Sequence, residues 1–433
     1  MSTIHGWQKK RLDEIGELFS GSTPSTANSS YWEGNVVWIT PADLSTLNSR
    51  YVHHSGKQIT EKGLNACSTH LLPVGSIVLS SRAPIGYVAL PTVPFCTNQG
   101  CKSIKLKKGF DSEFTYYNVL FNIKRIKDLG EGTTFAEISK TALAGVELDF
   151  PQSTDEQSKI AEILSIVDHA IEQTDALIGK QQRIKAGLMH DLLTRGIDEH
   201  GALRSEQTHK FQDSPLGRIP ADWDAVGLRT CLSYISYGFT NPMPDAIDGP
   251  YMVTAANISN GGIQYDSCRR TTADAFATLL TNKSRPRLGD LLITKDGTLG
   301  RLAIVDRIPL CINQSVAVMR VKDCISNHYL KLLLESAAYQ RRIEEDAGGS
   351  TIKHIYISKI DKMLIALPRD KFEQNAIKQI LSAQIVLVGE LERIERNLLR
   401  MKSALMQELL TGRKPVTALL ESKPKREKVY AGE

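Results

Sequence analysis

The stretch Leu188-Met189-His190-Asp191-Leu192-Leu193-Thr194 returns 217 residues later as Leu405-Met406-Gln407-Glu408-Leu409-Leu410-Thr411. An internal repeat of this kind constrains the fold before any single motif does. Upstream, each copy follows a proline and a Glu-Gln pair: Pro151 with Glu156-Gln157, and Pro368 with Glu373-Gln374. Gly132-Thr133-Thr134 matches Gly349-Ser350-Thr351, and Cys96-Thr97-Asn98-Gln99 matches Cys311-Ile312-Asn313-Gln314. Gly75 and Gly86 match Gly289 and Gly300. Ile39-Thr40-Pro41-Ala42-Asp43-Leu44 matches Val253-Thr254-Ala255-Ala256-Asn257-Ile258, and Trp7 with Gly21 matches Trp223 with Gly238. The order is kept throughout, so the chain is two divergent copies of one unit. The copies are close after Pro151 and Pro368 but share only a skeleton of glycines and strand pieces before them, which reads as one architectural element and two differently tuned surfaces.

The similar parts read as long helices. Ser153 with Glu156, and Asp370 with Glu373, stand at capping-box spacing, and each helix then runs about 40 residues to Gly196 or Gly412, where glycine permits a left-handed stop. In the second helix, steps of three and four select Ile377, Ile380, Gln384, Leu387, Leu391, Ile394, Leu398, Met401, Leu405 and Glu408, of which eight of ten are apolar. The same phase in the first selects Ile160, Ile163, Val167, Ala170, Thr174, Leu177, Gln181, Ile184, Leu188 and Asp191, of which seven are apolar. So narrow a stripe predicts a coiled-coil seam. The plainer alternative is packing within a helical bundle. At about 1.5 Å per residue each helix spans roughly 60 Å, and an antiparallel pairing would give a pseudo-two-fold rod with Gln181 and Gln384 helping to set register.

The divergent parts read as α+β domains. Short β-rich runs at 36–39, 77–80, 87–90, 291–294, 302–305 and 316–321 sit between Gly, Pro and Asn turns, with helical stretches near 113–126 and 327–345. The loop Ser81-Arg82-Ala83-Pro84-Ile85-Gly86, matched by Lys295-Asp296-Gly297-Thr298-Leu299-Gly300, puts Arg82 and Lys295 where a cation can reach a phosphate or a guanine edge; a solvated turn is the alternative. Arg50, Lys57, Arg269, Arg270, Arg285 and Arg287 complete the candidate DNA-binding set. Asn98-Gln99 and Asn313-Gln314 recur in both copies, which argues for a structural role, since surfaces reading different sequences should differ at their base contacts.

Composition narrows the remaining classes. With 433 residues, 41% of them hydrophobic, the chain can build two or three cored domains, and a net charge of +5 permits nucleic acid without requiring it. Seven cysteines with no C-x-x-C pair argue against a zinc site or disulfide framework and for a reducing, cytoplasmic compartment. No stretch has the apolar length of a membrane span. No G-x-x-x-x-G-K-[ST], G-x-G-x-x-G, H-E-x-x-H or G-x-S-x-G occurs. Asn241-Pro242-Met243-Pro244 lacks the second consecutive proline and the aromatic of an amino-methyltransferase loop. No catalytic or metal-binding constellation is expected, although a stand-alone DNA-modifying enzyme with duplicated domains and a coiled-coil scaffold remain as rival readings.

With these residues in hand, the chain resembles the specificity (S) subunits of type I restriction-modification systems, over essentially residues 5–415. The resemblance rests on Gly21-Ser22-Thr23-Pro24, Ser80-Ser81-Arg82-Ala83-Pro84-Ile85-Gly86, Thr97-Asn98-Gln99-Gly100, the Pro-x(4)-Glu-Gln helix openings, the Leu-Met-x-x-Leu-Leu-Thr endings and the connector Thr208 to Pro220. The second copy departs from the pattern at Gly238-Phe239-Thr240-Asn241-Pro242 and Lys295-Asp296-Gly297. The resemblance implies two target recognition domains joined by two long helices in an antiparallel coiled coil, each domain reading one half of an asymmetric, bipartite site in double-stranded DNA. It implies that the helices fix the spacer and dock two methyltransferase subunits, with motor-nuclease subunits joining the complex. It further implies a non-catalytic chain that binds no cofactor, S-adenosylmethionine, ATP and Mg belonging to the partners. The expected layout is a first recognition domain over 1–151, a helix over 152–196, a connector over 197–222, a second recognition domain over 223–368, a helix over 369–413 and a basic, disordered tail over 414–433 that attracts DNA weakly.

Overall fold

The computed structural model describes residues 6–82, 84–130, 136–259, 262–348 and 353–421. Ala83, both Gly-Thr/Ser-Thr segments (132–134 and 349–351) and the basic residues Lys423, Lys425, Arg426 and Lys428 lie outside them. The chain divides into two compact units, one of Met1–Leu177 with Leu391–Glu433, the other of Ile178–Glu390. Both are mixed α/β.

In the first unit, Trp7–Arg11 pairs antiparallel with Glu147–Pro151, setting Trp7 opposite Pro151 and closing the globular part at the base of the helix that follows. Between these strands lies a five-stranded sheet in the order Gly16–Ser20, Cys101–Leu106, Ile77–Ser80, Val88–Pro91, Tyr51–Val52, and a three-stranded sheet in the order Gln58–Ile59, Trp32–Ile39, Phe95–Thr97. Ile77–Ser80 is buried along its whole length, as a short unalternating apolar run should be. The second unit repeats this plan. Trp223–Gly227 pairs with Leu364–Pro368, with Trp223 opposite Pro368. A four-stranded sheet runs Leu232–Tyr237, Val316–Val321, Leu291–Thr294, Leu302–Ile304, and a three-stranded one Arg269–Arg270, Ala246–Val253, Leu310–Ile312. Helices Ser112–Phe121 and Asn327–Glu335 fall where the sequence predicts them.

The long helices are Thr154–Thr194 and Lys371–Leu409, 41 and 39 residues. Each unit holds a part of both, and this explains the most similar motif in the chain. The first unit's core joins Trp7, Phe114, Phe150, Ile160 and Leu164 to Met406, Leu409 and Leu410. The second joins Trp223, Tyr329, Ile377 and Leu381 to Leu192 and Leu193. Each Leu-Met-x-x-Leu-Leu-Thr ending therefore fills the core beneath the other copy's sheets. The two helices run antiparallel within each unit: Lys402 Nζ stands 2.5 Å from Asp168 Oδ1 in the first, and Gln384 Nε2 donates to Gln181 Oε1 (2.9 Å) in the second.

The linear layout expected from the sequence changes in two places. Folding units do not follow the order of the chain, because the helix ends are shared out between them. Nor is the segment after Lys414 without structure: Val416 is buried in the first unit's core and Thr417–Glu421 is helical, so the described part of the expected tail is ordered.

The seam also shifts. Ile160, Val167, Leu188, Ile377, Leu391, Leu398 and Leu405 are buried or half-buried as predicted, and Ile163 is half-buried. Leu177, Ile184, Ile380, Leu387, Ile394 and Met401 instead stand 38–45% exposed. Buried instead are Leu164, Ile178, Leu192, Leu381, Val388 and Leu409, each one residue after a predicted seam position (Ile163, Leu177, Asp191, Ile380, Leu387 and Glu408). Counting apolar residues favours the other phase because the seam steps onto Lys185, Glu395 and Lys402, where the outer stripe carries Ile184, Ile394 and Met401. Lys402 is satisfied there by Asp168, a pairing no periodicity reveals. Leu381→Ala is therefore expected to cost about 2–4 kcal/mol in a denaturant titration, and Ile380→Ala under about 1 kcal/mol; equal losses would restore the sequence-derived phase.

The capping-box acids do different work from that expected. Ser153 Oγ accepts from the Glu156 N–H (3.4 Å), but the Glu156 carboxylate takes the Trp7 indole N–H (3.3 Å). Likewise Glu373 Oε2 takes the Trp223 indole N–H (3.2 Å), while Asp370 caps the N–H of Phe372 (2.8 Å). The neighbouring glutamines brace the same corner: Gln157 Nε2 donates to Pro151 O (3.1 Å) and Gln374 Nε2 to Pro368 O (3.0 Å). Trp, Pro and Glu-Gln, scattered in sequence, meet at one joint in each unit. In the second unit Gly196 (φ +65°) also belongs to it, since a Cβ there would lie 2.1 Å from Glu373 Oε1 and 2.6 Å from the Trp223 ring.

Candidate nucleic-acid interface

Both units carry the same loop framework at one end of the main sheet. Thr40 and Asp43 form a capping box, with the Asp43 carboxylate taking the Thr40 N–H (2.8 Å); Thr254 and Asn257 repeat it, with Asn257 Oδ1 taking the Thr254 N–H (2.9 Å). Asn98 Oδ1 accepts from Gly100 N (2.9 Å) and Asn313 Oδ1 from Ser315 N (3.2 Å), so these asparagines shape their own turns. Gly21 and Gly238 pass so close to the turns that a Cβ would lie 2.0 Å from Asn98 O and 1.7 Å from Ile312 O respectively. The basic loops are fixed by equivalent bonds. Ser81 N donates to Gly100 O and Lys295 N to Ser315 O, while Ile138 N donates to Ser81 O and Ile355 N to Lys295 O. Arg82 thereby bridges to Glu137, and Asp296 to His354.

The side chains on this framework differ between the units. In the first, Arg82 Nη1 lies 3.3 Å from Glu137 Oε2, Lys102 Nζ lies 3.2 Å from Glu137 Oε1, and Thr23 Oγ1 donates to the exposed Gln99 Oε1 (2.5 Å). In the second, Lys295 Nζ pairs with Asp296 (2.8 Å), and Tyr237, Thr240, Gln314, His354, Tyr356 and Ser358 join Lys295 around a cleft of about 450 Å³. Glutamine at 99 and 314 is the half of the recurring Asn-Gln pair that faces solvent.

The other basic candidates are scattered. Lys57 is exposed, with its Nζ 5.9 Å from the Trp32 ring centroid, and Arg287 is exposed too. Arg269 is exposed and pairs with Asp245 (Nε to Oδ1, 2.7 Å). Arg270 is half-buried against Tyr251, its guanidinium 4.2 Å from the ring centroid. Arg285 is consumed locally, donating to the carbonyls of Ala277 (2.7 Å) and Leu280 (2.6 Å).

Arg50 is a correction. Its side chain is 8% exposed, and it bonds Glu113 (2.9 Å), Asp168 (3.4 Å), Ser165 (2.5 Å) and Tyr51 (3.0 Å). Tyr117 donates its hydroxyl to the same Asp168 (2.7 Å), and burial followed by that carboxylate pushes its phenol far above the usual range. Arg50 thus ties the edge of the recognition sheet to the first helix, with four of its five N–H donors spent inside the unit and its charge met by two carboxylates. Sequence reading missed Glu113 and Asp168 as its partners, and Lys402 as a second cation on Asp168, because they lie far apart in the chain.

Among the described residues no group of three or more His, Cys, Asp or Glu is placed to hold a metal. The equivalent Cys96 and Cys311 are buried, and burial pushes both thiols up to about 12, which keeps them protonated and unreactive. No helix is long and apolar enough to cross a membrane among the described residues.

Comparison with known proteins agrees with this architecture. The family model for the type I restriction modification DNA specificity domain matches residues 4–179 and 245–398. The chain is 30% identical over 382 residues to the type I restriction enzyme MjaIX specificity subunit of Methanocaldococcus jannaschii, covering 84% of this chain and 83% of that protein. It is 22% identical to the MjaVIII specificity subunit of the same organism, covering 94% and 92%. A crystal structure of a type I restriction-modification S subunit from M. genitalium shares the fold, with a TM-score of 0.58 at 17% identity over 93% of this chain and 96% of that one. Duplicated loop clusters on a duplicated scaffold, with these likenesses, define a protein of DNA sequence recognition. The chain belongs to the type I restriction-modification DNA specificity family.

Proposed function

We propose that each unit reads one half of an asymmetric, two-part site in double-stranded DNA, and that the two long helices form an antiparallel coiled coil fixing the spacer between the halves. The observation that carries this reading is the contrast between the two loop clusters: one set of backbone bonds is kept in both units while the side chains on it change. A duplicated scaffold with divergent surfaces suits two different half-sites. The outer stripe of Ile380, Leu387, Ile394 and Met401 supplies apolar surface for two methyltransferase subunits, and motor-nuclease subunits complete the assembly. Catalysis, S-adenosylmethionine, ATP and Mg belong to those partners, and this chain contributes recognition alone. Arg82, Lys57, Arg287 and Lys295 are the cations proposed to meet DNA, with Arg269 and Arg270 on the second unit's three-stranded sheet.

Mapping methylated adenines in a host carrying the system tests the reading. A gapped, two-part motif is expected, lost on deletion of this gene. Replacing residues 5–150 with those of a relative is expected to change one half only, and removing a few residues from one long helix to change the gap while both halves stay. A single ungapped motif, or S-adenosylmethionine-dependent methylation by the purified chain alone, would overturn it in favour of a stand-alone enzyme.

A further inference from the structure

We propose that the second unit's cleft between Tyr237, Lys295, Gln314, His354 and Tyr356 receives base edges of double-stranded DNA, and that Tyr237, His354 and Tyr356 decide which bases this unit accepts. The proposal rests on the half-site reading above and gives it an address.

The register fixed by the shared backbone bonds pairs each cleft residue with a counterpart. Tyr237 ends its strand just before Gly238, as Ser20 does before Gly21. Lys295 and Ile355 bond each other as Ser81 and Ile138 do, so His354 corresponds to Glu137 and Tyr356 to Ser139. Tyr356 and Ser139 also both stand at the N-cap of the next short helix. On one framework the first unit therefore carries Ser20, Ser81, Glu137 and Ser139 where the second carries Tyr237, Lys295, His354 and Tyr356. Backbone that must be kept is kept, and side chains that would have to differ between two half-sites do differ.

The chemistry of the cleft favours bases over phosphates. Two rings are presented to solvent, Tyr237 at 41% and Tyr356 at 61% exposure. His354 packs edge-on against Tyr356 (4.1 Å between centroids, 79° between planes), so that ring is held in place before any ligand arrives. Lys295 inside the cleft is neutralised by Asp296, which leaves little net charge to attract a phosphate. Lys283 stands exposed, its Nζ 5.7 Å from the Tyr237 centroid, where it can meet a backbone phosphate. The Gln314 amide has no side-chain hydrogen-bond partner among the described residues, and its donor and acceptor match the N6 and N7 edge of adenine. Gln99 already accepts from Thr23, so even the shared glutamine sits in a different setting in each unit.

The test uses the complex with its methyltransferase subunits. Tyr237→Ser and Tyr356→Ser install residues the first unit already carries on this framework, and His354→Ala removes the ring that orders Tyr356. Each variant is assayed by motif mapping and by competition binding on duplexes altered in one half at a time. We expect affinity for the native site to fall roughly tenfold to a hundredfold, the scale of a lost base contact, with relaxed discrimination in the second half only and an unchanged salt slope on non-specific DNA. A folded variant complex, judged by an unchanged unfolding midpoint, that keeps both affinity and motif would overturn the cleft assignment and leave the half-site reading standing. Absence of any two-part motif from the unmodified complex would overturn both.

Discussion

Arg204→Ala is expected to destabilise the second unit by about 3–5 kcal/mol, the scale for breaking a buried ion pair from one side. Arg204 and Glu373 side chains are 9% and 6% exposed. Arg204 binds Glu373 through both terminal nitrogens, with Nη2 at 3.2 Å from Oε2, and reaches Asp222 (2.7 Å). Glu373 also takes the Trp223 indole N–H and the Ile197 N–H (3.0 Å). Without the guanidinium, a buried carboxylate keeps only neutral donors at the joint where connector, strand and helix meet. Glu373→Gln added to Arg204→Ala should recover part of the loss, since the amide oxygen still accepts while the charge is gone. Urea unfolding followed by hydrogen exchange across 262–348 measures the effect in the second unit itself, which a single midpoint for a two-unit chain would not. A loss below about 1 kcal/mol would mean that the joint does not depend on this pair.

The comparable prediction for the first unit is Asp168→Ala, with a loss of about 3 kcal/mol or more. Asp168 receives the Tyr117 hydroxyl, Arg50 Nη1 and Lys402 Nζ. Removing it leaves two cations beside each other with Glu113 as the remaining carboxylate of the cluster. Asp168→Asn keeps an acceptor for Tyr117 but no charge, so it should fall between the alanine variant and the native chain. Because Arg50 precedes the edge strand Tyr51–Val52, loosening this cluster also frees the recognition sheet from the helix beneath it. Binding to duplexes altered only in the first half is then expected to lose discrimination, with the second half unaffected. Equal loss in both halves would show that the cluster does not act on its own unit.

Much of this was legible in the chain. The two-copy organisation, the strands at 77–80, 291–294 and 316–321, and the 41- and 39-residue helices all follow from local signals: a repeated motif, apolar runs between turns, a proline entry and a glycine exit. The seam was legible only to within one residue. Apolar residues occupy adjacent positions such as Ile163 and Leu164, or Ile380 and Leu381, so two phases fit, and the buried one tolerates Lys402 because Asp168 lies opposite. The basic set was the least legible part. A sequence shows that Arg50 and Arg285 are cationic, but not that carboxylates, hydroxyls and carbonyls from other elements already hold them.

The sequence by itself determined that one scaffold occurs twice and that its helix endings, Leu188 to Thr194 and Leu405 to Thr411, had to serve the same purpose in both copies. What that purpose is, only the tertiary structure decided: each ending fills the core beneath the other copy's sheets. Repetition and periodicity are written along the chain, whereas a core and an ion pair are made by residues brought together from far apart. For the same reason the structure alone could divide the cations into those that hold the fold and those left facing outward.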